Sequence, residues 1–206
     1  MMRLRRNASV LAVATALMLS ATGCGGDAEP KAEPTDATTS ATPTPTESTP
    51  TEPAWQKNYT QEQVKTYNAA LARWESYETR SEPMWAAGKA TTRAEAFFKQ
   101  YFPSPLWQKE LERLRLYAAN DVTVSGVPTV YWSKPTLITK NNLNVEIQQC
   151  VDFSDVVTTQ DGEQVEGNKW TTTPHLRVIS LSKPEGYDWL IYSYGDPEGK
   201  KKKCTP

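Results

Sequence analysis

Two periodicities divide this chain. In its middle, Val64, Tyr67, Leu71 and Trp74 recur at steps of three, four and three, one face of an α-helix. Thr60 and Gln63 stand ahead of that stripe with the spacing of a capping box. The helix is predicted to end near Pro83, because proline removes a backbone donor and clashes with the preceding turn. Thr92 and Glu95 repeat the capping spacing before Phe97, Phe98 and Tyr101. Ser104-Pro105 reads as a cap followed by proline at the first helical position. The stripe Trp107, Leu111, Leu114 and Ala118 follows, and Asn120-Asp121 is the stop signal.

From Val122 onward the period falls to two. Leu143, Val145 and Ile147 alternate with Asn144, Glu146 and Gln148, as in a half-buried strand. Asp161-Gly162, set between Val156-Val157 and Val165, is a hairpin turn signal. Leu176, Val178 and Ser180 alternate with Arg177, Ile179 and Leu181, and Pro184-Glu185-Gly186 turns the chain into the β-rich run Tyr187–Tyr194. Helices first and an antiparallel meander afterwards predict an α+β domain, with N-terminal helices packed on a curved, mainly antiparallel sheet.

The N-terminal quarter has another texture. Arg3, Arg5 and Arg6 precede a short apolar run at 8–19, and small residues lead to Gly23-Cys24. That order is a secretory signal. The run falls short of the about 20 apolar residues that cross a bilayer. Gly23-Cys24 fits a bacterial lipoprotein site, so residues 1–23 are expected to be removed and Cys24 acylated. Residues 25–54 then hold eight Thr and six Pro, with no Leu, Ile, Val, Met or aromatic residue. Such a composition cannot offset the entropy of ordering. Residues 24–54 are therefore expected to be a lipidated cysteine followed by a disordered stalk, reaching about 30 to 90 Å.

Every Trp, Tyr and Phe lies at or after Trp55, which makes residues 55–206 the folded domain. Its charges nearly cancel, 19 Lys and Arg against 18 Asp and Glu. A nucleic-acid binder normally carries a strong basic excess, so that class is set aside.

Val145–Ser154 (VEIQQCVDFS), Asp161-Gly162, Trp189-Leu190-Ile191 and the terminal Cys204 together resemble a family of secreted lipoproteins of actinobacteria and their phages. The resemblance spans about residues 60–206, and its most specific element is Cys-x-Asp-x-Ser with a terminal cysteine. It implies a cone-shaped domain like nuclear transport factor 2 (NTF2). Domains of that shape often hold a pocket between helices and sheet. Tyr101, Tyr131, Trp132 and Trp189 are candidates to line it, or to fill it as core. With Cys24 acylated in an exported chain, Cys150 and Cys204 remain, and an even count favours a disulfide between them.

Catalytic equipment is sparse. His175 is the sole histidine. It follows Pro174 in an expected strand, with no serine motif around it, and reads as structural. Asp152 and Asp155 suggest turn capping rather than a metal pair, since metal sites need several convergent ligands. Lys200–Lys203 read as a solvated tail, with anionic headgroups or wall polymers as the alternative partners. No catalytic residue, metal ligand or cofactor is assigned.

The favoured reading is a lipid-anchored protein on the outer face of the bacterial cytoplasmic membrane. On a stalk it would display a non-catalytic domain for an envelope protein, a glycan or a small apolar ligand. The alternatives are an exported isomerase- or hydrolase-like enzyme with an unrecognised pocket acid, and a phage-encoded superinfection-exclusion lipoprotein. A buried carboxylate beside a tyrosine in an open pocket favours the enzyme. A filled interior favours the binding module.

Overall fold

Helix α1 (Gln61–Ala87) starts where the capping box places it. The Gln63 N–H donates to Thr60 Oγ1 at 3.2 Å and the Thr60 N–H donates to Gln63 Oε1 at 3.0 Å, so two orphan donors are satisfied reciprocally. The computed structural model describes residues 53–206. The expected signal, the Cys24 lipidation site and nearly all of the stalk lie outside the described residues.

The end of α1 departs from expectation. It runs through Pro83 to Gly88, whose left-handed φ of 56° and contacts to Met84 O and Trp85 O close the helix. A proline inside a helix costs about 3 kcal/mol. Packing offsets that cost, because Trp85, two residues beyond Pro83, lies against Phe98 and Tyr117, both at 5.7 Å between ring centroids. Glycine is required at 88 twice over, since a Cβ there would sit 2.8 Å from Val122 O.

Helix α2 (Thr92–Tyr101) is capped one residue earlier than the sequence suggested. Thr91 is the extended residue, and its hydroxyl accepts from the Ala94 N–H at 3.2 Å. Glu95 pairs with Lys99 instead of closing a box. Before helix α3 (Leu106–Ala119), Pro105 itself stands at the cap position. The Leu106 and Trp107 N–H groups take Pro103 O, and Ser104 Oγ accepts from the Gln108 side chain rather than capping. Asn120 ends α3 as expected, and Asp121 turns the chain at φ 49°. On α3, Leu111 and Leu114 are buried, whereas Ala118 is exposed and Tyr117 is half-buried.

Seven strands follow: β1 (Val122–Ser125), β2 (Thr129–Ile138), β3 (Asn144–Asp152), β4 (Val157–Gln160), β5 (Glu163–Gln164), β6 (His175–Ser182) and β7 (Leu190–Gly195). They form two antiparallel sheets, ordered β2-β3-β6-β7 and β1-β4-β5. Asp161 and Gly162 join β4 to β5 with φ of 52° and 81°, the paired positive values of a tight hairpin turn. Irregular register in the β2–β3 and β6–β7 pairings supplies the bends of a curved sheet. Leu143 stays outside β3 and exposed, and alternation there begins at Val145.

The described residues are thus α+β, with three α-helices against antiparallel sheets. Helix α1 packs on β1, β2 and β3, and α2 packs on α3 and β7. The inner face of the larger sheet presents Val145, Ile147, Gln149 and Val151 from β3 and His175, Arg177, Ile179 and Leu181 from β6, all buried. Opposite them lie Trp74, Phe98, Tyr101 and Leu114.

On the outer face, Cys150 and Cys204 form a disulfide with Cα atoms 5.8 Å apart. The Leu176 N–H donates to Lys202 O at 2.7 Å, and Trp132 Nε1–H donates to Thr205 O at 2.8 Å. The last residues therefore cross the sheet from β6 over β3 to β2, pinned by the disulfide midway.

Candidate ligand cleft

A cleft of about 560 Å³ opens where the inner face turns polar. Helix α1 supplies one wall through Trp74, Tyr77, Glu78, Ser81, Glu82 and Trp85, and Arg113 and Tyr117 of α3 extend it. The stepping of 74, 77–78, 81–82 and 85 is one helix face, so residues past Pro83 belong to the cleft only because α1 continues. The far side comes from Val124, Val127, Pro128, Phe153 and Val156, together with Trp170 of the loop before β6. His175 and Arg177 form part of the sheet side, and Tyr194, Asp196 and Lys201 stand on β7 and the tail.

Arg177 is the most constrained charge. It is 7% exposed, donates to Glu78 Oε1 at 2.7 Å and Oε2 at 3.0 Å, and donates to Gln149 Oε1 at 2.6 Å. The guanidinium lies 4.8 Å from the Trp74 ring centroid. Gln149 in turn donates to Ser133 Oγ at 2.9 Å. A buried cation needs such a complete set, since an unpaired one would lose its hydration without return.

The second cluster is Arg113, Glu110 and Tyr194. Arg113 donates to both Glu110 and Tyr194, and Tyr194 OH donates to Glu110 Oε2 at 2.9 Å. Burial pushes the Tyr194 phenol up to about 12, Glu110 adds to this, and Arg113 opposes it. Burial likewise holds the Tyr77 phenol well above its usual value. Both hydroxyls are protonated near neutrality.

His175 is 3% exposed. Its Nδ1–H donates to Thr173 O at 2.9 Å, and its ring stacks on Phe153 at 5.5 Å. The backbone at 175 also bridges to Lys203 of the tail. Asp152 Oδ1 accepts the Ser154 N–H at 2.8 Å and the Ser154 hydroxyl at 2.5 Å, a turn that holds its carboxyl below the usual carboxylate range. Asp155 accepts from the Thr129 hydroxyl at 3.2 Å. Among the described residues, no three His, Cys, Asp or Glu side chains converge as metal ligands. In the tail, Lys201 pairs with Asp196 and Lys202 with Glu198.

None of the four expected lining aromatics borders this cleft. Tyr101 is fully buried between α1 and α2, where its hydroxyl meets Ser76 and Arg80. Trp189 is buried ahead of β7, and its carbonyl accepts from Arg73 Nε at 3.0 Å. Tyr131 is exposed on edge strand β2, and Trp132 on the same strand is tied to the tail. Of the four, Tyr101 and Trp189 became core and Tyr131 and Trp132 lie on the edge strand, while other aromatic residues line the cleft. The sequence did carry one overlooked signal: Arg177 shares the inward register of Ile179 and Leu181, an unusual place for an arginine.

No family model and no curated protein matches the chain.

Proposed function

We propose that this chain is an exported lipoprotein, held to the outer face of the cytoplasmic membrane through Cys24, whose folded domain binds a small ligand without converting it. The observation that carries the binding part is the cleft. It is large enough for a drug-sized molecule and rich in aromatic wall, and its cations are already engaged by carboxylates of the protein. Apart from the carboxylate of Glu82, such a site offers surface and shape rather than free charged groups. The likeness to the NTF2-type lipoproteins agrees with a pocket between helices and sheet.

The anchor rests on the residues around Gly23-Cys24. Two acyl chains, at about 0.8 kcal/mol per buried methylene, hold a protein on a membrane where one is marginal. Fractionating cells that express the wild type and Cys24→Ala tests this: the wild type should sediment with membranes and the variant should not. Binding is tested by titrating the full chain with the neutral dye Nile red. Emission should rise, and Val127→Trp, which fills the cleft from an exposed position, should suppress the rise. An unchanged signal in Val127→Trp would place the dye elsewhere.

One contact supports the enzyme reading. Glu110 is a largely buried carboxylate against Tyr194, and Tyr194 borders an open cleft. Glu110 itself is not among the lining residues, and Arg113 ties it to the phenol. A bound molecule would meet Tyr194 and Arg113 but not the acid, which favours binding over proton transfer. Separate substitution of Asp152 and Asp155, neither of which lines the cleft, should leave a cellular phenotype largely intact. Loss in one of them, at unchanged folding and membrane level, would put the enzyme first.

A further inference from the structure

Charge in the cleft is unevenly matched. Its three cations each have a carboxylate: Arg177 has Glu78 at 2.7 Å, Lys201 has Asp196 at 3.4 Å, and Arg113 has Glu110. The remaining lining carboxylate is Glu82. Its Oε1 accepts one backbone N–H, from Gly126 at 3.2 Å, and among the described residues no ion pair includes it. A molecule seated against Glu82, which is half-buried, removes water from this carboxylate. A neutral apolar occupant leaves Glu82 dehydrated and unpaired, and an anionic one adds repulsion, with every nearby cation already taken. An occupant carrying a cation restores what the water supplied.

The wall agrees with the same sign. Trp85 lies one helical turn from Glu82 on the same face of α1, within reach of a group held by the carboxylate. Aromatic faces attract cations, and this cleft already uses that attraction: Arg113 sits 4.9 Å from the Trp85 ring centroid and Arg177 4.8 Å from that of Trp74. From these observations we infer that the cleft takes an organic ammonium ligand, an apolar or aromatic body with a single positive charge, whose ammonium group meets Glu82. This rests on the binding reading above and narrows it to one chemical class.

Three probes of one shape separate the two statements: 2-naphthylmethylammonium, 2-naphthalenemethanol and 2-naphthoate, titrated calorimetrically into the full chain. The ammonium should bind about tenfold more tightly than the alcohol, the scale of one desolvated cation–π or charge-assisted contact. The naphthoate should bind most weakly. Raising salt should narrow the gap between ammonium and alcohol. Glu82→Gln, checked by circular dichroism, should narrow the gap between the two severalfold and leave alcohol binding no weaker. Equal affinity of ammonium and alcohol in the wild type, or tightest binding of the naphthoate, overturns the ammonium assignment while the cleft remains a binding site. Saturable binding of none of the three overturns the binding reading, and the ammonium assignment with it.

Discussion

The inner face of the larger sheet has two ends built on different principles. At one end Val145 pairs with Leu181 and Ile147 with Ile179, under Leu114 and the aromatic side chains of α1 and α2. At the other end the same two strands place Gln149 opposite Arg177 and Val151 opposite His175, and the space above stays open as the cleft. The apolar end is held by non-directional burial. The polar end is held by directional bonds centred on Arg177. Only the second can present fixed charges and ring faces to a molecule from outside.

Truncating the apolar end should have the largest effect. Phe98 is fully buried, and Phe98→Ala should lower unfolding stability by about 4 kcal/mol in urea titrations. Loss of under about 1 kcal/mol would mean that this end is loosely packed. Comparable in size is the disulfide, which spans 54 positions on the other face. Cys204→Ser should cost about 4 kcal/mol on the chain-entropy model. Alkylation without reductant should find both thiols blocked in the wild type, and two free thiols would remove the bridge.

At the polar end, Arg177→Met should cost about 3 kcal/mol, because it strands the carboxylate of Glu78. Adding Glu78→Leu should recover part of that loss, the rest belonging to Gln149 Oε1, which stays without its donor. Recovery is the sharper test, since a second truncation at the apolar end would only deepen the damage. No recovery would show that the pair contributes more than relief of its own desolvation.

Smaller effects follow from titration. The Tyr194 phenol is raised from 10.0 to about 12, so its contribution is complete below pH 10 and is lost as pH climbs towards 12. Tyr194→Phe should flatten that alkaline decline in part, leaving the share of Tyr77. The smallest effect belongs to Asp152, whose lowered pKa stabilises the fold above the ordinary carboxylate range and is lost as pH falls through the lowered value. Asp152→Asn should flatten the acid limb slightly. A steeper limb in either variant would reverse the assigned sign.

Local chemistry was legible wherever a few neighbouring residues decide the outcome. Thr60 with Gln63, Asn120-Asp121 and Asp161-Gly162 act within four residues, and each appears where its sequence signal stands. The α+β order and the pairing of Cys150 with Cys204 were also readable, from periodicity and from the even count left once Cys24 is set apart. The caps at Thr91 and Pro105 slipped because adjacent Thr-Thr and Pro-Ser-Pro runs offer several frames, and backbone angles choose among them.

Short-range chemistry along the chain thus set the menu of elements and their order, and the inward side of only some stripes. Those depend on propensity and period, which are short-range properties of the chain. Tertiary structure decided that α1 continues past Pro83, because Trp85 finds Phe98 and Tyr117 only in the folded molecule. It also decided which aromatic residues fill the core and which line the cleft. Glu78, Gln149 and Arg177 stand far apart in sequence and act as one group only after α1 lies across β3 and β6. A stripe records that a side chain faces inward, but whether it meets a partner or an empty space is set by the residues opposite it.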